Sequence, residues 1–264
     1  MHSDTGSHRS VISEVSSYIS QSRNRELPAA VITRAKHHIL DTLAAIVSGS
    51  TLNTGRAARK YAESQPGAEE AQVICSPMVT SAITAALANA MTAHADETDD
   101  IYPPLLFHPG SVIVPAALSV SEKEGADGTS FLRGVVVGYD IGCRILRALN
   151  PVKLRKTGRD THCFGGCFGA AAACASIMRL GDEQVRYVLS YAAEQSSGLN
   201  YWRRDKDHIE KAFVFSGMAA RNGVSAALFV QSGFTGVSDP FSGGDNFFEI
   251  TSPESRPELL ADAL

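Results

Sequence analysis

The chain has 264 residues, 44% of them hydrophobic and 20% charged, a balance that supports a sizeable core and excludes wholesale disorder. Twenty-eight acidic against 24 basic side chains leave a formal charge of −4, which excludes a simple electrostatic nucleic-acid binder. Aromatics make up 7% and tryptophan occurs once, so the core has to be built from aliphatic and small side chains.

The first ten residues contain no apolar leader and are expected to be disordered. Helical periodicity dominates from there on. Val11, Val15, Tyr18 and Ile19 mark a first amphipathic helix. Leu27, Val31, Ala35, Ile39, Leu43 and Ile46 carry one stripe through a second, with Pro28 suited to its first turn and Gly49 to its end. A third helix covers 54–65 and stops before Pro66-Gly67. Residues 71–75 form the one plausible strand, and an alanine-rich helix follows from Thr80 to Ala95. The polar stretch 96–108, with Pro103-Pro104, reads as a loop.

Helices resume over 110–123, 128–149, 165–179 and 182–198, with Asp182 as the N-cap of the last. Residues 199–207 read as a charged loop, 208–232 as a long helix ended by Gly233, and the tail from Ser238 as irregular. The predicted fold is an all-α, compact multi-helix bundle. Ala/Gly-rich crossings at 85–88, 169–175 and 217–220 let helix backbones approach closely. There is no βαβ alternation, no G-x-G-x-x-G and no P-loop. No run reaches the ~18 apolar residues of a membrane helix; Cys163–Met178 comes nearest. A cytoplasmic protein is expected, or a matrix protein if the source has mitochondria. Five cysteines, an odd number without a C-x-x-C pair, fit a reducing compartment. The spacing of Cys163, Cys167 and Cys174 lacks the fourth ligand of a zinc site, and no metal is expected.

Three polar clusters could carry chemistry. The first is His94-Ala95-Asp96-Glu97-Thr98-Asp99-Asp100, followed by His108-Pro109-Gly110. On a continuing helix Asp96, Asp99 and Asp100 would share one face. Packed carboxylates repel unless they bind a cation, pair with a base or share protons. The plain alternative is a solvated helix end. The second is Arg159-Asp160-Thr161-His162 before the glycine-rich entry of a helix, where free backbone N–H groups would suit an anion; a close-packed turn is the alternative. The third is Trp202-Arg203-Arg204-Asp205, leading to His208 and Lys211 on one helix face. Its cations suit a polyanionic small molecule, and local ion pairing of an exposed helix start is the alternative. Together these groups could perform acid/base work on an anionic substrate. Asp96-x-x-Asp99-Asp100 also permits a magnesium-dependent all-α enzyme of the isoprenoid synthase kind, but no second acidic motif accompanies it.

The motifs resemble the N-terminal helical domain of the MmgE/PrpD family, which includes 2-methylcitrate dehydratase, cis-aconitate decarboxylase and iminodisuccinate epimerase. Leu40-Asp41-Thr42, Ala93-His94, His108-Pro109-Gly110-Ser111, Gly138-Tyr139-Asp140, Phe168-Gly169-Ala170, Glu210-Lys211-Ala212-Phe213 and Gly233-Phe234-Thr235-Gly236 carry the likeness in their order and spacing. It covers 11–248, with 249–264 as an irregular tail and no C-terminal lid domain following. The resemblance implies a lyase, a hydro-lyase of the 2-methylcitrate dehydratase type or a decarboxylase, acting on a small di- or tricarboxylate without a cofactor, in a homodimer. A non-catalytic helical dimer is the alternative.

The same resemblance implies His108, Asp99, Asp100, Lys211 and His162 as catalytic groups. Glu97, Arg203, Arg204 and Asp160 would bind substrate. The chain departs from the family pattern where Glu97 stands for an aspartate, Ile101 for a threonine, and Asp160 for a histidine that His162 replaces two residues on.

Overall fold

The computed structural model describes residues 10–264. The N-terminus expected to be disordered lies, apart from Ser10, outside the described residues. Eleven helices build the described fold: α1 Val11–Gln21, α2 Ala29–Gly49, α3 Asn53–Glu63, α4 Ala82–Ala93, α5 Gly110–Glu124, α6 Gly128–Leu149, α7 Pro151–Lys156, α8 His162–Ile177, α9 Asp182–Gln195, α10 Ile209–Gln231 and α11 Phe247–Thr251. The chain is therefore all-α, apart from one antiparallel hairpin, β1 Ala71–Gln72 with β2 Val79–Thr80.

Several element boundaries differ from expectation, each for a local reason. The strand expected over 71–75 ends at Gln72, because Val73 to Ser76 turn back with Cys75 at φ 61°. Its partner uses Val79 and Thr80, so the alanine-rich helix starts later. Ser81 caps that helix by accepting from the Thr84 N–H. Pro28 lies one position ahead of α2 rather than in its first turn. Gly181, not Asp182, precedes α9. Its N–H donates to Gln184 Oε1 at 3.0 Å, while Asp182 accepts from Ser20. The irregular tail is ordered locally into α11 and the Pro257–Leu260 turn. Phe241, Phe247, Phe248 and Leu260 are buried, and Arg256 N–H donates to Ala148 O at 2.7 Å, which fastens the tail to the end of α6.

The bundle is organised around α8, every residue of which is buried. Its most extensive partner is α6. A Cβ on Gly142 would lie 2.8 Å from the Gly165 carbonyl, and one on Gly138 would lie 2.8 Å from the Gly169 carbonyl. Only hydrogens fit there, and the backbones touch. Of the two readings of the glycine-rich stretch, close packing is the one that holds: the glycines are packing positions inside α8, which begins three residues earlier than expected, at His162. The cysteines do likewise. Cys163, Cys167 and Cys174 are buried and unpaired, and burial pushes the Cys163 thiol up to about 12. They form no shared ligand set among the described residues.

By length and hydropathy α10, not the Cys163–Met178 run, is the helix that could cross a membrane, but 72% of its apolar window packs inside the bundle. It is interrupted by a π-helical segment, Phe213–Gly217. Such segments insert an extra residue per turn and re-aim side chains.

Candidate active site

The site forms where four chain segments meet: the end of α4, the start of α5, the start of α8 and the start of α10. His94 stops α4 as its C-cap and is fully buried. The helix ends there, so the three aspartates that follow do not share a face. Asp96 turns to Ser48 and accepts from Thr98 Oγ1 at 2.7 Å. Asp99 turns inward and Asp100 to the opposite side. This divergence removes the magnesium-site reading.

Asp99 is the hub of the inward side. Its carboxylate accepts from His94 Nδ1 at 2.9 Å, and its second oxygen lies 3.3 Å from His108 Nδ1. The latter approach lacks hydrogen-bond geometry and acts as a charge contact. Burial alone would push the Asp99 carboxyl up, but His108 and His94 together outweigh it and hold it well below the usual carboxylate range. The two imidazoles respond in opposite senses. Burial lowers the His94 pKa despite Asp99, so this ring is neutral. Burial also opposes charge on His108, whose side chain is 13% exposed, but Asp99 prevails and raises its pKa. With Nδ1–H directed at Asp99, the His94 Nε2 is left buried without a partner.

A second carboxylate–imidazole pair faces the first. Asp160, fully buried, accepts from His162 Nδ1 and from the His162 backbone N–H, each at 2.8 Å, and from Trp202 Nε1 at 2.8 Å. Burial pushes Asp160 up, but these donors outweigh it and hold it below its ordinary value, while burial keeps His162 below its own. Thr161 Oγ1 donates to Leu106 O at 2.6 Å and so joins this loop to the one carrying His108.

The third segment closes the ring. Lys211 Nζ pairs with Glu97 at 2.6 Å, and His208 Nδ1 lies 3.3 Å from the same oxygen. The acidic loop and the basic loop therefore face one another. Burial pushes Glu97 up, but Lys211 more than compensates. Asp205 accepts from the Lys211 N–H at 2.9 Å and holds this helix start in place.

Phe215, on the π segment, is the floor. Its ring stacks on His162 at 3.6 Å between centroids and on His94 at 4.7 Å, and it meets Trp202 edge-on at 4.6 Å. Lys211 Nζ sits 5.2 Å from the Phe215 ring centre and 5.5 Å from that of Trp202. Three histidines, 94, 108 and 162, thus lie around one aromatic ring beside one lysine, and His208 stacks on His94 behind them. Surface hollows of about 530 and 540 Å³ lie elsewhere; chemistry rather than volume marks this cluster.

The structure thus brings together His108, Asp99, His162, Asp160, Lys211 and Glu97. Arg203 and Arg204 stay outside: both are exposed, and their guanidiniums lie over Trp202 and Tyr201. Asp100 also stays outside. Its side chain accepts from Gly110 N–H at 2.8 Å and Tyr139 Oη at 3.0 Å, and meets His38 Nδ1 at 2.7 Å. Phe215, His38 and Tyr139 escaped the sequence reading. Phe215 gave no signal because a regular helix would aim it differently. His38 and Thr42, four apart on α2, did share a legible face. His94, Asp99 and His108 are the trio among the described residues whose donor atoms lie within 4.8 Å of one another and could share a metal ion. Those same atoms are already engaged with one another as proton and charge partners.

The MmgE/PrpD N-terminal domain profile matches residues 13–260. The chain belongs to the MmgE/PrpD family. A cis-aconitate decarboxylase-like protein of Aspergillus oryzae is 27% identical over 99% of this chain and 56% of its own length. Cis-aconitate decarboxylase of Aspergillus terreus is 28% identical over 88% of the chain and 48% of its own. The Homo sapiens protein of that name is 26% identical over 88% and 49%. The chain spans about half the length of these relatives. As an MmgE/PrpD chain it is therefore similar to proteins named for decarboxylation, not for the 2-methylcitrate dehydration expected above.

Proposed function

We propose that this MmgE/PrpD domain carries the acid/base groups of a lyase site for a small polycarboxylate, with loss of CO₂ favoured over loss of water. The observation that carries the reading is His108, solvent-open on one side and set on a buried carboxylate on the other. The names of the relatives support the choice of decarboxylation.

When an allylic carboxylate leaves as CO₂, the electrons of the broken C–C bond shift through the double bond. The far carbon of the allyl unit then takes a proton. A donor for that carbon has to carry a proton, and Asp99, by raising the His108 pKa, favours that form. His162, neutral, is available to hydrogen-bond the substrate through Nε2, since its Nδ1 is directed at Asp160. Lys211, held over two aromatic rings, suits a carboxylate that the product retains. Glu97 now occupies that cation and would have to give way.

The alternative, a non-catalytic helical module, is favoured by that same Glu97–Lys211 pair and by Ile101, which offers no hydrogen bond. Release of CO₂ from cis-aconitate, and of water from citrate and 2-methylcitrate, by the purified protein and by His108→Gln separates the readings. Turnover with cis-aconitate that falls at least ~10²-fold in the variant is expected. Equal turnover in the two proteins overturns the role of His108, and no turnover with any of the acids establishes the non-catalytic reading.

A further inference from the structure

A second constellation lies at the far end of α8, roughly 24 Å from His162 at 1.5 Å per residue along the helix. The turn after α1, the first turns of α6 and the residue following α8 enclose a surface hollow of about 530 Å³. Arg23, Arg133 and Arg179 all line it, together with the hydroxyl residues Thr129 and Ser130. Nothing in the lyase reading uses this assembly of charged and hydroxyl side chains.

The charges are only partly balanced locally: three guanidiniums share the hollow with one carboxylate, Asp127, whose pKa is lowered by its hydrogen bonds at the start of α6 and also by the charge of Arg179. None of the three arginines enters an ion pair among the described residues. The carboxylate on the rim, Asp127, is engaged in accepting from the Ser130 N–H at 2.7 Å as the N-cap of α6. Arg133 Nη1 donates to Arg23 O at 2.6 Å, and Arg23 Nη1 donates to Arg179 O at 2.7 Å. Each bond uses one of a guanidinium's five N–H groups and anchors its stem, so the remaining donors stay free and the forks are pre-positioned. Arg179 itself is exposed, and its backbone sits at φ 58°, a conformation that L residues rarely adopt. Three like charges gathered around one concavity repel one another, and a bound anion reverses the sign of that contribution.

We propose that this hollow is a binding site for a compact oxyanion of the phosphate class, free or carried on a small organic body. Carboxylate recognition by arginine is planar and bidentate, served by one fork. Three guanidiniums arriving from three separate elements match the several oxygens of a tetrahedral dianion better. The volume exceeds what a bare ion fills and falls within the roughly 300–1,000 Å³ of small-molecule sites. Bound there, the ligand would tie the α1 turn, α6 and the end of α8 together.

Thermal unfolding of the protein at fixed ionic strength tests this, with inorganic phosphate titrated against sodium chloride. A rise of roughly 5 °C or more is expected near a hundredfold excess over Kd, with no such rise in chloride. Glycerol 3-phosphate in place of phosphate reports whether the site accepts an ester; a stronger effect assigns the organic body, and an equal one the free ion. Arg179→Gln, at an exposed position, should weaken the apparent affinity at least ~10-fold, as one charged contact is lost. Arg133→Gln should do the same. Backbone amide shifts of Thr129 and Ser130 on phosphate addition supply a readout independent of stability. Lys211→Met should leave all of these effects intact. The proposal is overturned if phosphate gives no stabilisation beyond chloride, or if the effect survives Arg179→Gln and disappears in Lys211→Met, which would place the anion in the histidine cluster.

Discussion

Asp99 and Asp100 are neighbours in the chain and have the same functional group, yet the fold gives them opposite work. Asp99 faces two imidazoles and is held ionised below its ordinary range, a charge stored where proton transfer can use it. Asp100 faces a backbone N–H, a phenol and His38, and burial raises its pKa in spite of those partners. Asp99 dominates the protonation of His108, to which Asp100 adds a smaller push in the same direction, while Asp100 also fastens a turn. The lesson is that a paired-carboxylate motif need not be a paired-carboxylate site. The chain bends at Asp99 and is irregular at Asp100, and the two side chains reach different partners: imidazoles for one, Gly110 N–H, Tyr139 and His38 for the other.

The sharpest way to break this contrast is to neutralise each aspartate in turn. Asp99→Asn removes the charge that raises the His108 pKa, and activity should fall by ~10²-fold or more. His108→Gln should match it, and the double variant should lose little further, because the two act as one unit. Steady-state turnover of the three proteins tests this, and independent, multiplicative losses would overturn the pairing. Asp100→Ala should instead act on stability. Gly110 N–H and Tyr139 Oη lose their acceptor, a change expected to cost about 2–3 kcal/mol in urea unfolding. Equal activity losses at the two positions without a stability change at 100 would erase the distinction.

Titration sharpens it further. His94 and His162 have folded pKa values below their ordinary one, so the unfolded chain binds their protons more readily. Their contribution is complete above about pH 6.5 and is lost as the pH falls below it. His108 has a raised folded pKa. Its contribution is complete below about pH 6.5 and is lost as the pH rises through the higher folded value, together with its capacity to donate a proton. Unfolding free energy should therefore drop on mild acidification while turnover drops on the alkaline side. A turnover profile that falls only toward acid would contradict the donor role of His108.

Two smaller effects bound the comparison. Gly142→Ala forces a Cβ against the Gly165 carbonyl, and a loss of about 1–3 kcal/mol is expected from overpacking at the α6–α8 crossing. Glu97→Gln breaks a half-exposed ion pair and should change stability by less than about 1 kcal/mol. Its effect should appear instead as tighter binding of a polycarboxylate to the released Lys211.

Much of the bundle was legible beforehand. Amphipathic stripes located α1, α2, α6 and α9, and the Ala/Gly runs announced close helix crossings. The site was legible only as three separate polar clusters. The acidic and basic loops, more than a hundred residues apart, each left a solvated helix end open as the alternative to a site. Their pairing through Glu97 and Lys211 depends on α4 and α10 lying side by side. The glycines of α8 left two readings open, because spacing alone does not distinguish a helix entry from a helix crossing, and the packed one holds.

By itself, then, the sequence determined the helical class, the small-residue core and the chemical types available for a site. These follow from local periodicity and composition, which any window of the chain displays. Tertiary structure alone decided which carboxylate serves which histidine, that Phe215 is the common floor, and that Arg203 and Arg204 stay outside. Those outcomes depend on where helices end and how a π segment turns one ring. Contacts between segments set both, and no single segment records them.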